Sequence, residues 1–165
     1  MINVVCKNLK ELQNALQDKI DYALLTDVSH TVTEVMTDHI ARDVYDVYFP
    51  IDITNPHQYV RREDNGGLID PNNINSSIEK NVLIVENNTL GAPEYGIGNE
   101  VFPSQNKDKE IAGVIETGKG YDIHGWEYDG VPRPFIQNTR EDLKNNKYHV
   151  IALRQGLKKQ GLEVE

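Results

Sequence analysis

The stretch VSHTVTEVMTDHIARDVYDV, from Val28 to Val47, decides how the first part of the chain folds. Its apolar residues recur at three- and four-residue steps, the spacing that places side chains on one face of an α-helix. They are Val28, Val32, Val35, Met36, Ile40, Val44 and Val47. The many β-branched residues weaken intrinsic helicity, so packing has to help hold the helix. The pattern therefore predicts an amphipathic helix whose apolar face belongs to the core.

Another helix is predicted directly upstream. Apolar residues at helical spacing define it: Leu9, Leu12, Leu16 and Ile20. Asn8 is a suitable N-cap, and Glu11 stands three residues later, as in a capping box. Thr26 or Asp27 can begin the following helix, which predicts a break at that point. We therefore expect the first 48 residues to be helical.

Pro50 ends the helical region because proline cannot continue the backbone hydrogen-bond ladder. Short strands are predicted over Tyr59–Arg62, which stops at the turn Asp64–Gly67, and over Val82–Val85. Ile111–Ile115 is either a strand or a short helix. The glycine- and proline-rich connection at residues 90–109 is unusually long, so we expect an arm or loop that orders on assembly.

The chain turns helical again after Pro132 and Pro134, from Phe135 onward, with an interruption near Asn145–Asn146. Glycines at 156 and 161 are expected to fray the end of this segment. The resulting fold class is α+β, with N-terminal helices, a small mainly antiparallel sheet with long loops, and a C-terminal helix. Residues 1–165 are expected to form a single domain, since their number suits one core.

The chain is acidic, with a net charge of −9 from 26 acidic and 17 basic residues. Such a chain repels phosphate, which disfavours a main role in nucleic-acid binding. The single cysteine, Cys6, excludes an internal disulfide framework and a cysteine-rich zinc site. No apolar run reaches the ~20 residues of a membrane span, and no secretory signal is evident. Synthesis and assembly in the cytoplasm are therefore expected.

Catalytic motifs are not found in the sequence. The five histidines include no pair at the i, i+4 spacing of a helical metal site. Asp122, His124 and Glu127 are the best metal candidates, but three such residues in an acidic chain often arise by chance. The glycine pairs at 96/98 and 118/120 do not continue into a phosphate-binding motif. We predict no enzyme activity, no cofactor and no metal.

Two groups of residues have two readings each. Arg61, Arg62 and Arg133 either balance nearby acidic residues or form salt bridges between subunits, a contact that the planar guanidinium suits. Tyr121 and Trp126, close to Tyr128, either form a small core under a loop or anchor an interface.

Three stretches together resemble the tail-completion, or neck, family of long-tailed bacteriophages, over roughly residues 30–162. The first is Tyr59–Arg62 with Asn65–Asp70 and then Asn73–Ile74. The second is Ile115–Asp122. The third is Pro132–Ile136 followed by Ala152–Gly161. The glycine-rich insert at residues 90–109 departs from the compact versions of this family.

The resemblance implies a structural virion protein of the head–tail junction, which completes the tail and joins it to the head. It implies a homo-oligomeric ring, with a hexamer expected. The implied partners are neighbouring neck and tail proteins, namely the head-closure protein, the tail terminator and the tail tube. DNA would pass through the channel without specific binding. The expected partner-interface residues are Arg61, Arg62, Tyr121, Trp126, Arg133 and Phe135. The alternatives are a tail terminator, a head-closure protein, or a small metal-dependent hydrolase.

Overall fold

The computed structural model describes residues 6–47, 62–92, 94–97, 100–103, 107–119, 122–123, 126–127 and 131–164. The predicted strand Tyr59–Arg62, apart from its last residue, and the helix stop at Pro50 lie outside the described residues.

Helix α1 spans Leu9–Ala23 and begins with the predicted capping pair. The Asn8 Oδ1 accepts a hydrogen bond from the Glu11 backbone N at 2.9 Å. The Glu11 carboxylate in turn accepts from the backbone N of Lys7 at 2.7 Å. The first of these bonds satisfies the Glu11 N–H, one of the donors that the first helical turn leaves without an intrahelical partner.

The predicted break near Thr26–Asp27 is wrong, because the chain stays helical there. A π-helical turn, Leu24–Val28, leads directly into α2, Ser29–His39, and a second π-helical turn follows at Ile40–Tyr45. Hydroxyl groups complete the hydrogen bonding around the first turn. Thr26 Oγ1 donates to the Tyr22 carbonyl at 2.7 Å, and Thr31 Oγ1 donates to the Asp27 carbonyl at 3.0 Å.

The predicted apolar face from Val28 to Val47 is buried in part. Val28, Met36, Ile40 and Val44 are buried, Val32 and Val35 are half-buried, and Val47 is exposed at the end of the region. The apolar stripe of α1 behaves differently. Its members Leu9, Leu12 and Leu16 are exposed, and burial in this helix begins near its C-terminus with Ala23.

The chain divides into two compact units. The first comprises the described residues of Met1–Val35, Ser76–Val85 and Glu141–Glu165. In this unit the last helix, α5, Tyr148–Lys159, packs on α1 and on the first π-helical turn. Lys19 Nζ donates to the Gln160 carbonyl at 2.6 Å, and Gln160 Nε2 donates to the Lys19 carbonyl at 2.8 Å. Side chain and backbone thus join the two helices reciprocally.

The expectation that Gly156 frays the last helix is wrong. Gly156 is buried, and a Cβ built on it would lie 2.6 Å from Asp27 Oδ2 and 3.0 Å from Ala23 Cβ. The missing side chain lets α5 approach its neighbour. The helix ends at Lys159 with Gln160 as its C-cap, and Gly161 follows with φ +79°. The Gly161 N donates to the Lys158 carbonyl and the Leu162 N donates to the Leu157 carbonyl. This is the Schellman arrangement.

Strand β1, Ile74–Glu79, pairs with β2, Val82–Asn87, which confirms the predicted strand at Val82–Val85. Lys80 and Asn81 form the connection with φ values of 49° and 68°. Positive φ at both central residues is the geometry of a type I′ turn, which matches the twist of a hairpin.

The long connection at residues 90–109 contains regular structure. Strand β3, Glu94–Ile97, pairs antiparallel with β4, Glu100–Pro103. Leu90 and Glu110 form an antiparallel bridge at the base, and the Gly91 N donates to the Lys109 carbonyl at 2.9 Å. We call residues 90–110 the arm.

The remaining elements complete the predicted α+β class. Helix α3 spans Ala112–Thr117, which decides the strand-or-helix alternative in favour of a helix. Strands β5, Asp122–Ile123, and β6, Trp126–Glu127, form a third hairpin. Helix α4, Phe135–Asn146, is separated from α5 by Lys147, next to the predicted interruption. The expected small sheet is realised, in the described chain, as three two-stranded pairs.

Candidate interaction site

The second unit comprises the described residues of Met36–Asn75 and Glu86–Arg140. It contains the described parts of the stretches that carry the resemblance, except Ala152–Gly161, which belongs to the first unit. Its turn Asn65–Asp70 is held from within. The Asp70 carboxylate accepts from the backbone N of Asn72 at 2.8 Å and of Gly66 at 2.6 Å. These two N–H groups hold the pKa of Asp70 below its ordinary value, because they favour the charged carboxylate.

Gly67 is required at the centre of this turn. A Cβ there would overlap the Glu63 carbonyl oxygen and lie 2.6 Å from the Glu63 N. The Gly67 carbonyl accepts from Asn73 Nδ2 at 2.8 Å and from the buried Thr89 Oγ1 at 3.3 Å. The turn therefore sits under several polar side chains with no room for a larger residue.

The next residue of the turn, Leu68, is held on both sides. Its carbonyl accepts from the buried Asn87 Nδ2 at 2.7 Å, and its N donates to the Tyr45 hydroxyl at 3.2 Å. Hydrogen bonds from buried side chains fix a backbone more firmly than exposed ones, since no water replaces them. The motif is thus a rigid support built from the end of the helical region and from β2.

Arg62 lies between this turn and the arm. Its Nη2 donates to the Leu90 carbonyl at 2.6 Å, so the guanidinium contacts the first residue of the arm. The described contact is therefore to a backbone carbonyl. Whether Arg62 also meets a neighbouring subunit stays a prediction, and Arg61 lies outside the described residues.

The second and third stretches meet where a side chain of the second caps the N-terminus of α4. The Glu116 carboxylate, at the end of α3, accepts from the backbone N of Ile136 at 2.7 Å and of Gln137 at 3.0 Å. A carboxylate in this position satisfies two free donors of the first turn of α4 and complements its dipole. The Arg133 N also donates to the Ile115 carbonyl at 2.9 Å. These contacts hold the start of α4 against the end of α3.

Phe135 is completely buried, which corrects its assignment as a partner-interface residue. A ring without exposed surface has nothing to offer a partner, so the structure gives it a core role. Arg133 beside it is half-buried and has partners within the chain. Trp126 is the register partner of Ile123 in the third hairpin, and Tyr121 lies outside the described residues. The interface assignments of Arg133, Trp126 and Tyr121 stay predictions.

The metal candidates are partly described. Asp122 and Glu127 are register partners across the third hairpin, so the backbone does place them opposite each other. His124 stands between them in the sequence, outside the described residues. Within the described ranges, no group of three histidine, cysteine or acidic residues is arranged to hold a metal ion. In the same ranges no helix is both long and apolar enough to cross a membrane.

A buried polar cluster at the second π-helical turn was not foreseen. His39 Nδ1 lies 2.6 Å from Asp43 Oδ2, and Asn138 Nδ2 of α4 donates to the same oxygen at 2.9 Å. Burial pushes the pKa of Asp43 upward, but hydrogen bonds from Asn138, His39 and Arg42 hold it below its ordinary value. The i, i+4 spacing of His39 and Asp43 was visible in the sequence. The partner on α4 was not, because 95 residues separate it from Asp43.

Comparison with known proteins adds two findings. The YomN family model matches residues 8–159. An SPbeta prophage-derived uncharacterized protein, YomN, of Bacillus subtilis strain 168 is 27% identical over 168 residues, covering 98% of this chain and 100% of that protein. No solved structure gives a significant match.

Proposed function

The chain belongs to the YomN family, and from that premise we propose that it is a phage structural protein of the head–tail junction. In this role it completes the tail and joins it to the head, as a ring of identical subunits around the DNA channel, with six copies expected. The observation that carries the phage origin is the prophage-derived relative, which aligns over its whole length. The neck position rests on the resemblance of the three stretches.

Two features support a place in an assembly that surrounds DNA. The net charge of −9 disfavours sticking to the duplex that passes through the channel. The arm is closed at its base by the bridge between Leu90 and Glu110, and Arg62 contacts its first residue. A hairpin of two short strands is marginally stable by itself, so contact with a neighbouring protein would stabilise it.

Electron microscopy of lysates from a parent phage that lacks the gene tests the joining role directly. We expect separate DNA-filled heads and complete tails, and restoration of joined particles when the gene is supplied in trans. Intact, normally joined particles from the deletion strain would remove the protein from the junction.

Shortening the arm tests its part in this role. Residues 92–108 are replaced by a two-residue Asn-Gly turn, which an antiparallel pair at Leu90 and Glu110 accommodates. We expect a folded protein that no longer restores joined particles to the deletion strain. The matched control replaces Lys80–Asn81, the turn of the first hairpin, by Asn-Gly and should restore them. Full restoration by the shortened protein would show that the arm is dispensable.

A tail terminator or a head-closure protein is the alternative within the phage structure. Cross-linking of assembled particles followed by mass spectrometry separates the three positions, because each has different neighbours. Cross-links to both the tail terminator and the head-closure protein support the proposed position. Cross-links confined to the tail tube or to the portal move the protein along the axis.

A small hydrolase is the alternative from another class, and it rests on the register of Asp122 with Glu127. Metal analysis of protein purified without added metal decides it. Stoichiometric zinc or manganese that is lost in a His124→Ala variant would favour the hydrolase. A metal-free, folded sample agrees with the structural role.

A further inference from the structure

The outer face of α5 combines apolar and basic side chains. Tyr148 and Ile151 are 42% and 47% exposed, and Arg154 and Lys158 are exposed further along the same face. Their spacings of three and four residues place them in one row on the helix. Tyrosine and arginine are enriched at protein interfaces, and exposed apolar side chains in such a row favour a protein partner over solvent.

This helix is basic in an acidic chain. α5 contains three basic residues and no acidic residue, whereas the whole chain has a net charge of −9. One of the three, Lys159, already pairs with Asp27 inside the first unit. Arg154 and Lys158 are the two that point their charge outward from the row. A second copy of this chain therefore offers what they attract, an acidic surface.

A face of complementary composition, which we call the α1 face, lies along α1 and the π-helical turn that follows it, in the same unit. Tyr22 and Leu25 are 60% and 46% exposed, and Asp18 and Glu11 are exposed four and eleven residues before Tyr22. This row lies on the side of α1 away from the Leu9, Leu12 and Leu16 stripe, because the helix turns by about 100° per residue. It carries two apolar residues followed by acidic ones when it is read from its C-terminal end.

We infer that the α5 face of one copy docks on the α1 face of the next. With the helices antiparallel, Tyr148 and Ile151 meet Leu25 and Tyr22, and Arg154 meets Asp18. The distances agree: six residues from Tyr148 to Arg154 span ~9 Å, and seven from Leu25 to Asp18 span ~10 Å. Because the two faces differ, a copy that uses its α5 face for one neighbour still has its α1 face free for another. Head-to-tail contacts of this kind generate a ring when the rotation between copies closes.

The inference deepens the proposed function and rests on its expectation of a ring. Its test is sedimentation velocity of the purified full chain at ~0.05 M and ~0.5 M salt, since exposed ion pairs weaken as salt screens them. We expect a wild-type oligomer that partly dissociates at the higher salt. A monomer at both salt concentrations overturns the inference.

A charge swap identifies the contact. Arg154→Asp and Asp18→Arg should each raise the dissociation constant about tenfold, the order expected for reversing one charge in a close pair. The double variant should restore association. The control Arg140→Asp makes the same charge change on an exposed residue of α4 and should leave the oligomer intact. Equal association of all four variants, or a double variant without recovery, overturns the pairing.

A basic helix face could also contact DNA, and a duplex-DNA binding assay by fluorescence anisotropy tests this alternative. Loss of DNA binding in Arg154→Asp with an unchanged oligomer would overturn the inference in favour of a DNA contact. These outcomes are separable from failure of the neck role. If the charge-swap variants form the same oligomer as the wild type, only the proposed contact is disproved. If the deletion strain makes joined particles, the neck role is disproved whatever the sedimentation result.

Discussion

At the scale of single residues, two glycines of one unit show how differently the same residue type is used. Gly67 is enclosed by the backbone of Glu63, whereas Gly113 in α3 has open space around a built Cβ. Adding a methyl group at the first position forces the turn open, and at the second it only removes backbone freedom from the unfolded chain.

Gly67→Ala is therefore expected to lower the free energy of unfolding by more than ~2 kcal/mol, since a backbone overlap cannot be relieved by a rotamer change. Gly113→Ala is the matched control and should raise it by ~0.5–1 kcal/mol. Urea denaturation followed by circular dichroism measures both. Equal stability of the two variants would show that the turn can move away from Glu63.

Phe135→Ala should cost ~3–5 kcal/mol of stability, because it empties a fully buried site. Val131→Ala, at a residue that is 52% exposed, should stay within ~0.5 kcal/mol of the wild type. Thermal unfolding of both variants checks this. A failure of Phe135→Ala in particle assembly reports on folding, and a stable Phe135→Ala protein would contradict the core role.

At the scale of elements, helix starts and ends depend on partners at very different sequence distances. Asn8 and Glu11 cap α1 from three residues apart, whereas Glu116 caps α4 from 20 residues away. The first device is local and was predicted. The second forms only when α3 is folded and placed beside α4, so the sequence shows Glu116 and Ile136 as parts of two separate motifs.

Removing the Glu116 carboxylate tests the second device. Glu116→Ala should lower the free energy of unfolding by ~1–2 kcal/mol, as for loss of a good helix cap. Glu116→Gln keeps one acceptor and should lose less. Glu79→Ala, at the exposed end of β1, is the control and should change stability by less than ~0.5 kcal/mol. The same loss in Glu79→Ala and Glu116→Ala would contradict the capping role.

Three carboxylates in different elements predict acid sensitivity. A hydrogen bond from Lys159 holds the pKa of Asp27 below its ordinary value of 3.8, and the pKa values of Asp43 and Asp70 are lowered as described above. A lowered folded-state pKa contributes stability that is complete above 3.8 and is lost as pH falls through the lower value. Stability should therefore be level near neutral pH and fall steeply in the acid range.

Urea titrations at a series of acid pH values measure this loss. Asp43→Asn should lose less stability between neutral pH and the acid range than the wild type does, because it removes one of the three groups. Asp46→Asn, an exposed carboxylate next to the same π-helical turn, is the control. If the stability of Asp43→Asn fell with pH as steeply as that of the wild type, the cluster with His39 would not contribute to acid sensitivity.

At the scale of the whole molecule, family membership and the three stretches support a phage role, while the surfaces carry the inference about assembly. The glycine-rich insert looked like an irregular loop because its strands are only four residues long and glycine interrupts their pattern. Periodicity in the sequence indicates an amphipathic face on α1 but does not report what covers that face. Exposure of Tyr22, Leu25, Tyr148 and Ile151 appeared only with the fold.

The sequence by itself determined the helical first region, the cap at Asn8, the strand at Val82–Val85 and the α+β class, because periodicity and capping act over a few residues. Tertiary structure alone decided the close approach at Gly156, the reciprocal bonds of Lys19 with Gln160, and the burial of Phe135. Those contacts join residues far apart in the chain, up to 141 positions for Lys19 and Gln160. Only packing in three dimensions brings such partners together, so no local pattern announces them.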